Sequence, residues 1–254
     1  MGGVAVVTGG GGGIGAAVAV ALRADGWAVV VAGRTPLSGF GFAELDLSDV
    51  DSVRRAADAL PGEVGLLVNN AGVMGVPCGR TARGWETHLA VNHLGHFLFT
   101  ELLRPRLAGR VVAVTSGGPA LSPFRFGDPM FDHEPYDKFA AYASSKAACL
   151  LHAVALRTRG VDAVAVNPGL TATGIGRHLT RDDVRDLLRR AAVRGVPAPR
   201  RPEVSARVVL TAALAPLPPA GHYYPDAEPG PVPEELLADD AAERLWAFSA
   251  RAVR

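Results

Sequence analysis

Cysteine is almost missing from this chain: Cys78 and Cys149 are the two in 254 residues. So few, and so far apart, they exclude a disulfide framework and a structural zinc site, and they fit a reducing compartment. Charge of one sign is missing too. Lys and Arg number 26 against 25 Asp and Glu, so no global field draws nucleic acid or an anionic membrane. No apolar run reaches the roughly 20 residues of a membrane-spanning helix. Strand-like sequence starts at Val4, which leaves no room for a signal peptide, and Val6 stands where an N-myristoylation signal needs Ser or Thr. No repeat, linker or low-complexity stretch interrupts the chain. These absences predict one domain over residues 1–254, cytoplasmic, acting on a small molecule with no nucleic-acid or membrane partner.

Glycine, by contrast, is concentrated. "VAVVT" (Val4–Thr8) is followed by five consecutive glycines, Gly9 to Gly13, and then by "IGAAVAVALRADG". In that last stretch Ile14, Ala17, Val18, Ala21 and Leu22 form a helical apolar stripe, and Gly26 stands where a left-handed cap ends the helix. The glycines are therefore the turn between a buried strand and a helix N-terminus. Such a turn offers unpaired N–H groups and the positive end of the helix dipole to a pyrophosphate.

Strand-like and helix-like segments then alternate to the end. Strands are predicted at Val4–Thr8, Trp27–Gly33, Phe40–Leu45, Leu66–Asn69, Val111–Thr115, Val161–Asn167 and near His222–Tyr224. Helices are predicted after the glycines, from a Ser48 N-cap to Leu60, over Trp85–Leu103, over Lys138–Thr158 and over roughly Arg181–Arg194. The order predicts an α/β class fold: a doubly wound, mostly parallel seven-stranded Rossmann sheet with helices on both faces. Two insertions, about 118–136 and 174–202, follow strand ends and are candidate walls of a substrate pocket.

Tyr142 and Lys146 in "YASSK" lie four apart on one helix face, where an ammonium favours the phenolate and makes Tyr142 a usable general acid or base. The same spacing is also common surface decoration. Ser116 closes the strand "RVVAVTS", where a hydroxyl can polarise a carbonyl. Asn92 in "LAVNHLGHF" is an amide in an apolar helix, a setting that calls for a structural hydrogen bond.

Taken together, the chain resembles the short-chain dehydrogenase/reductase family. Thr8, Gly9, Gly13, Ile14 and Gly15 match its Thr-Gly-x-x-x-Gly-x-Gly loop. "NNAG" (Asn69, Asn70, Ala71, Gly72) follows the fourth strand, Asn92, Ser116, Tyr142 and Lys146 match the catalytic tetrad in order, and "NPGLTAT" (Asn167–Thr173) follows the sixth strand. "VNHLGHF", the long gap from Ser116 to Tyr142, and "PGLTATGIGRHLT" resemble the branch of retinol and protochlorophyllide reductases.

The resemblance implies that Tyr142 exchanges a proton with the substrate oxygen while a nicotinamide exchanges hydride at the adjacent carbon. Lys146 would hold the ribose, Ser116 would steady the substrate oxygen, and Asn92 would keep a water chain to Lys146. Asn70, Ala71, Gly72, Pro168, Gly169 and Leu170 would border the cofactor, with Thr173 at its diphosphate or carboxamide. Asp46, with the Leu47 backbone, would meet the adenine. Relatives pair through the helices at 85–103 and 138–158, which implies a homodimer or homotetramer.

Cofactor choice turns on "VVVAGRT". Gly33 stands where an NAD-specific site usually carries an acid, and Arg34 follows, so NADP(H) is expected over NAD(H). Two departures bear on this. Gly12 fills the place where many NADP-dependent members carry a basic residue, and about a dozen residues from Arg34 to Asp46 leave only a bare loop for the crossover. His93 and His96 lack an acidic partner, so no metal is expected. His133, between Asp132 and Glu134, reads as a solvated loop residue. Arg189, Arg190, Arg194, Arg200 and Arg201 read as an exposed basic face or as an attractor of an anionic substrate, and Phe124, Phe126 and Phe131 point to a bulky or aromatic one. The expected activity is NADP(H)-dependent ketone or aldehyde reduction, or the reverse oxidation. Dehydration, epimerisation or cyclisation on the same fold, and NADP sensing without turnover, are the alternatives.

Overall fold

Valine and alanine dominate the strands, and β-branched side chains suit a pleated surface covered on both faces. A computed structural model describes residues 3–117, 122–193, 198–216 and 223–254, without the side chains of Arg190, Ala191 and Val193. Its strands are β1 (Val4–Thr8), β2 (Ala28–Gly33), β3 (Gly41–Glu44), β4 (Val64–Asn69), β5 (Leu107–Val114), β6 (Ala163–Val166) and β7 (Tyr223–Tyr224). They form one seven-stranded sheet in the order β3-β2-β1-β4-β5-β6-β7 with every pair parallel. This is the expected doubly wound arrangement. The order reverses between β1 and β4, which opens a crevice at their carboxyl ends. His222, expected in the last strand, lies outside the described residues.

The helices are α1 (Gly13–Ala24), α2 (Val50–Ala59), α3 (Thr87–Leu89), α4 (Gly95–Leu103), α5 (Lys138–Thr158), α6 (Arg181–Val193), α7 (Pro202–Leu214), α8 (Glu234–Leu237) and α9 (Ala241–Ala252). Alternate strand residues face two cores. Val7, Val31, Val68 and Val112 pack on one face with Val18 and Leu22 of α1 and Val209 of α7. Val6, Leu67 and Val111 pack on the other with α2, α4 and α5. Helix α5 is long and apolar enough to cross a membrane, but 78% of its most apolar window is buried inside the protein, as befits a core helix.

Several local expectations change. Asp49, not Ser48, caps α2: its carboxylate accepts from the Asp51 N–H at 3.0 Å, while Ser48 donates its hydroxyl to Asp46 Oδ1 at 2.6 Å. The single helix expected over Trp85–Leu103 is α3 and α4 joined by a π-helical turn, Ala90–Leu94. Helices α7 and α9 were not anticipated. The bare connection from β2 to β3 is observed, and the Arg23 guanidinium fastens it to α1, 4.0 Å over the Phe40 ring.

Candidate active site

A cleft of about 1290 Å³ runs along the carboxyl edge of the sheet. Its floor begins at the glycine loop. Gly9 and Gly13 adopt left-handed φ of 66° and 54°, and Gly12 caps α1 with no side-chain hydrogen bond and no acid in the first turn. The first N–H groups of α1 therefore stay open to an anion. A Cβ added at Gly15 would lie 2.5 Å from Asn70 Nδ2 and from the Gly9 carbonyl, so this glycine lets the helix seat against the sheet. Thr173 sits opposite, about one side-chain contact from Gly13 (3.2 Å to its Cγ2 from a Cβ added there). A cradle of bare backbone, a helix N-terminus and a cleft of this size fit a dinucleotide.

Thr8 does not line the cleft. Wholly buried, its hydroxyl oxygen accepts from the Asn70 N–H at 2.9 Å and the Ala71 N–H at 3.0 Å. Asn70 answers with Nδ2 donating to the Thr8 carbonyl at 2.9 Å. The glycine loop and the "NNAG" turn are thus tied into one rigid piece.

Asn92 is buried as well. Its Oδ1 accepts from the Val73 N–H at 2.8 Å, and its Nδ2 donates to the Val73 carbonyl at 3.1 Å and to Ser145 Oγ at 2.9 Å. The π turn directs its backbone carbonyl to His96 Nδ1 and Cys149 Sγ, each 3.0 Å away. Ser145 Oγ donates to the Tyr142 carbonyl at 2.7 Å. Lys146 is 3% exposed and donates from Nζ to the Val114 carbonyl at 2.9 Å; Thr115 returns a 2.6 Å bond to the Lys146 carbonyl. Those bonds fasten α5 to the end of β5, so that Tyr142, Lys146 and Ser116 all open on the cleft.

Of the remaining expected residues, Gly9, Ile14, Arg34, Asp46, Leu47, Asn70, Ala71, Gly72, Pro168, Gly169, Leu170 and Thr173 line the cleft. Asp46 Oδ1 is engaged by the Ser48 N–H at 2.9 Å and by its hydroxyl. Arg34 is exposed, with no carboxylate partner among the described residues. Gly169 rests on the Arg200 guanidinium, which is held bidentately by Asp226 at 2.7 and 2.6 Å.

The two insertions part company. The second forms a wall: Leu179, Val184, Leu187 and Leu188 face the cleft across from Met74 and Phe139. Leu179 fills the space beside Gly75, and Lys138 Nζ pairs with Asp183 Oδ2 at 2.5 Å, which holds α6 against α5. The described part of the first insertion contributes nothing to the cleft. Phe124 and Phe131 are buried; Phe124 packs on Phe126 and on Phe248 of α9, and Phe131 on Tyr136, so the aromatic signal belongs to the core.

Nor is an anion trap formed by those of the arginines that lie among the described residues. Arg189 pairs with Asp186, Arg200 with Asp226 and Arg201 with Glu203; Arg194 and the Arg190 side chain lie outside the described residues. His133 is exposed on its loop. His93 and His96 diverge, one bonded to Ser249 Oγ at 2.6 Å and the other to Thr8 Oγ1 at 2.9 Å, and no metal-binding cluster occurs among the described residues. Sequence reasoning missed Thr115, Ser145 and the buried pair Glu86 and His88. For His88 a signal existed: His88, Asn92 and His96 recur every four residues in an apolar helix.

Comparison with known proteins agrees with this fold. A family model described as short chain dehydrogenase matches residues 3–184. A probable oxidoreductase of Streptomyces lividans is 38% identical across 97% of this chain and 96% of its own length. Human retinol dehydrogenase 12 is 36% identical across 97% and 84%. A solved structure of an uncharacterized protein from Mycobacterium paratuberculosis superposes with a TM-score of 0.76 at 32% identity, covering 98% of this chain and 92% of that one. The chain therefore belongs to the short-chain dehydrogenase/reductase family, as a nicotinamide-binding oxidoreductase of its retinol dehydrogenase-like branch.

Proposed function

We propose that this protein is an NADP(H)-dependent carbonyl reductase, or the corresponding alcohol dehydrogenase, for a bulky apolar small molecule. The observation that carries the reading is the meeting of Ser116, Tyr142 and Lys146 on the same cleft as the glycine loop. The nicotinamide, when bound, supplies or accepts the hydride. Tyr142 gives its phenolic proton to the substrate oxygen as the carbonyl is reduced, and Ser116 holds that oxygen in place. Lys146, fixed on Val114, presents its ammonium to the same cleft, where it can hold the ribose of the cofactor. Leu179, Val184, Leu188, Met74 and Phe139 offer an apolar chamber, which suits a hydrocarbon body better than a sugar or an acid. Arg34, with no carboxylate to neutralise it among the described residues, is the group for a 2′-phosphate.

Incubation of the purified chain with NADPH and a panel of apolar ketones and aldehydes, followed by the loss of reduced-nicotinamide absorbance, tests this. Steady turnover that falls to background in Tyr142→Phe is the expected result. Product formed without net cofactor consumption would replace it with non-redox chemistry on the same fold.

A further inference from the structure

His88 is wholly buried on the face of α3 that meets α5, one helical step before Asn92, and the family motif does not include it. Three residues at four-residue spacing hold the stretch that leaves β4. His96 bonds Thr8, which receives the Asn70 and Ala71 N–H groups. Asn92 clasps Val73. His88 takes the Val76 N–H on Nε2 at 3.4 Å. With Nε2 as acceptor, Nδ1 carries the hydrogen and donates to Glu86 Oε1 at 2.9 Å.

That carboxylate is unusually well supplied. Glu86 is 2% exposed, and its Oε1 also accepts from the His88 N–H at 2.9 Å and the Tyr136 hydroxyl at 3.1 Å, while Oε2 takes the Leu89 N–H at 2.8 Å. Burial pushes the carboxyl up, but the His88 and Leu89 hydrogen bonds outweigh it and the net shift is downward. The imidazole therefore cannot flip without losing both bonds to carbon edges, nor change tautomer without setting an acceptor against an anion and a donor against an N–H.

Its ring stands edge to face with the ring of Tyr142, centroids 6.2 Å apart at 70°. Tyr142 is thus gripped twice, at its carbonyl by Ser145 and at its ring by His88. We infer that His88 is a positioning residue of the reaction: locked by Glu86 and Tyr136, it holds the Tyr142 phenol aimed into the cleft. The inference rests on Tyr142 being the acid–base group.

The test compares wild type, His88→Ala, His88→Phe and Tyr142→Phe as full chains, with NADPH and whichever carbonyl compound the wild type reduces. Steady-state constants, NADPH affinity by fluorescence and thermal midpoints are read together. His88→Ala is expected to lower kcat about tenfold, leaving KM and NADPH affinity within about twofold, since misaiming a reacting group costs rate rather than binding. His88→Phe is expected to regain most of kcat but not the thermal midpoint, because it restores the ring and leaves Glu86 short of a donor. A kcat unchanged in His88→Ala, or a kcat that merely tracks the midpoint through both variants, overturns the proposal. If His88→Ala does not fold, Tyr136→Phe loosens the same lock from a half-buried position. It should lower kcat severalfold at constant KM, and an unaltered kcat counts against the lock. Turnover retained by Tyr142→Phe rejects the acid–base reading itself, and this inference with it.

Discussion

Asn92 holds both polar atoms of Val73, accepting from its N–H at 2.8 Å and donating to its carbonyl at 3.1 Å. A Cβ on the neighbouring Gly72 would stand 3.1 Å from Asn92 Oδ1 and 3.5 Å from Lys146 Nζ, so this peptide, the amide and the lysine are packed as one unit. Truncating Asn92 to Ala strands two buried backbone groups and takes from Ser145 Oγ the donor it accepts from. The expected loss is about 2–4 kcal/mol of unfolding free energy, at an unchanged denaturant slope. Urea unfolding measures it, and a stability within about 0.5 kcal/mol of wild type would count against the clasp.

Much of this site is readable in the sequence because its chemistry is local. Gly9 to Gly15 need no distant partner to form a strand–helix turn, and Tyr142 and Lys146 share a face by helical spacing alone. What escapes reading is set by contacts across the fold. The π turn at Ala90–Leu94 keeps an ordinary apolar pattern; only His96 and Cys149, bonding to the Asn92 carbonyl, reveal it. Phe124 and Phe126 read as substrate contacts because composition does not say which side of a loop faces α9. Ser48 loses its cap to the next residue because Asp46 has already captured its hydroxyl.

Arg34 should decide between the two dinucleotides. Replacing it with Ala removes the candidate partner of a 2′-phosphate, and a charged hydrogen bond of about 1.5–3 kcal/mol corresponds to roughly 10–100-fold in affinity. Fluorescence titration of Arg34→Ala is expected to show that loss for NADPH and almost none for NADH. Equal weakening of both would assign Arg34 to the adenosine rather than to the phosphate.

Acid should unfold the protein through its interior histidines. Burial holds His96 at about 4 and His152 at about 3, against an ordinary 6.5, and drives His93 down as well; neighbouring His96, His152, Lys146 and Arg159 add repulsion. Below 6.5 the unfolded chain binds protons that the folded chain refuses, so stability falls as pH drops toward 4. His96 alone accounts for about 2 kcal/mol between pH 8 and pH 5. Urea midpoints across that range give the slope. His152→Leu is expected to flatten it without loss at neutral pH, because Nε2 of His152 finds no hydrogen-bond partner among the described residues. A slope unchanged by that substitution would move the effect to other groups.

The last helix bears on assembly. Helix α9 lies across α4 and α5, the face through which relatives were expected to pair. Trp246 packs on Phe97 with centroids 4.9 Å apart and lies 3.9 Å beneath the Arg159 guanidinium, while Glu243 takes two bonds from Arg159 at 2.8 and 2.7 Å. Ser249 meets His93 at 2.6 Å in the buried layer beneath. A second copy would have to displace all of these, so any homodimer or homotetramer is expected to use another surface. Sedimentation velocity with cross-linking of the full chain checks this, and cross-links joining α4 or α5 of two copies would defeat it. Trp246→Ala, at a half-buried position, should cost about 2–3 kcal/mol and expose that face. Self-association should then grow with concentration in the variant and stay absent from that face in the wild type.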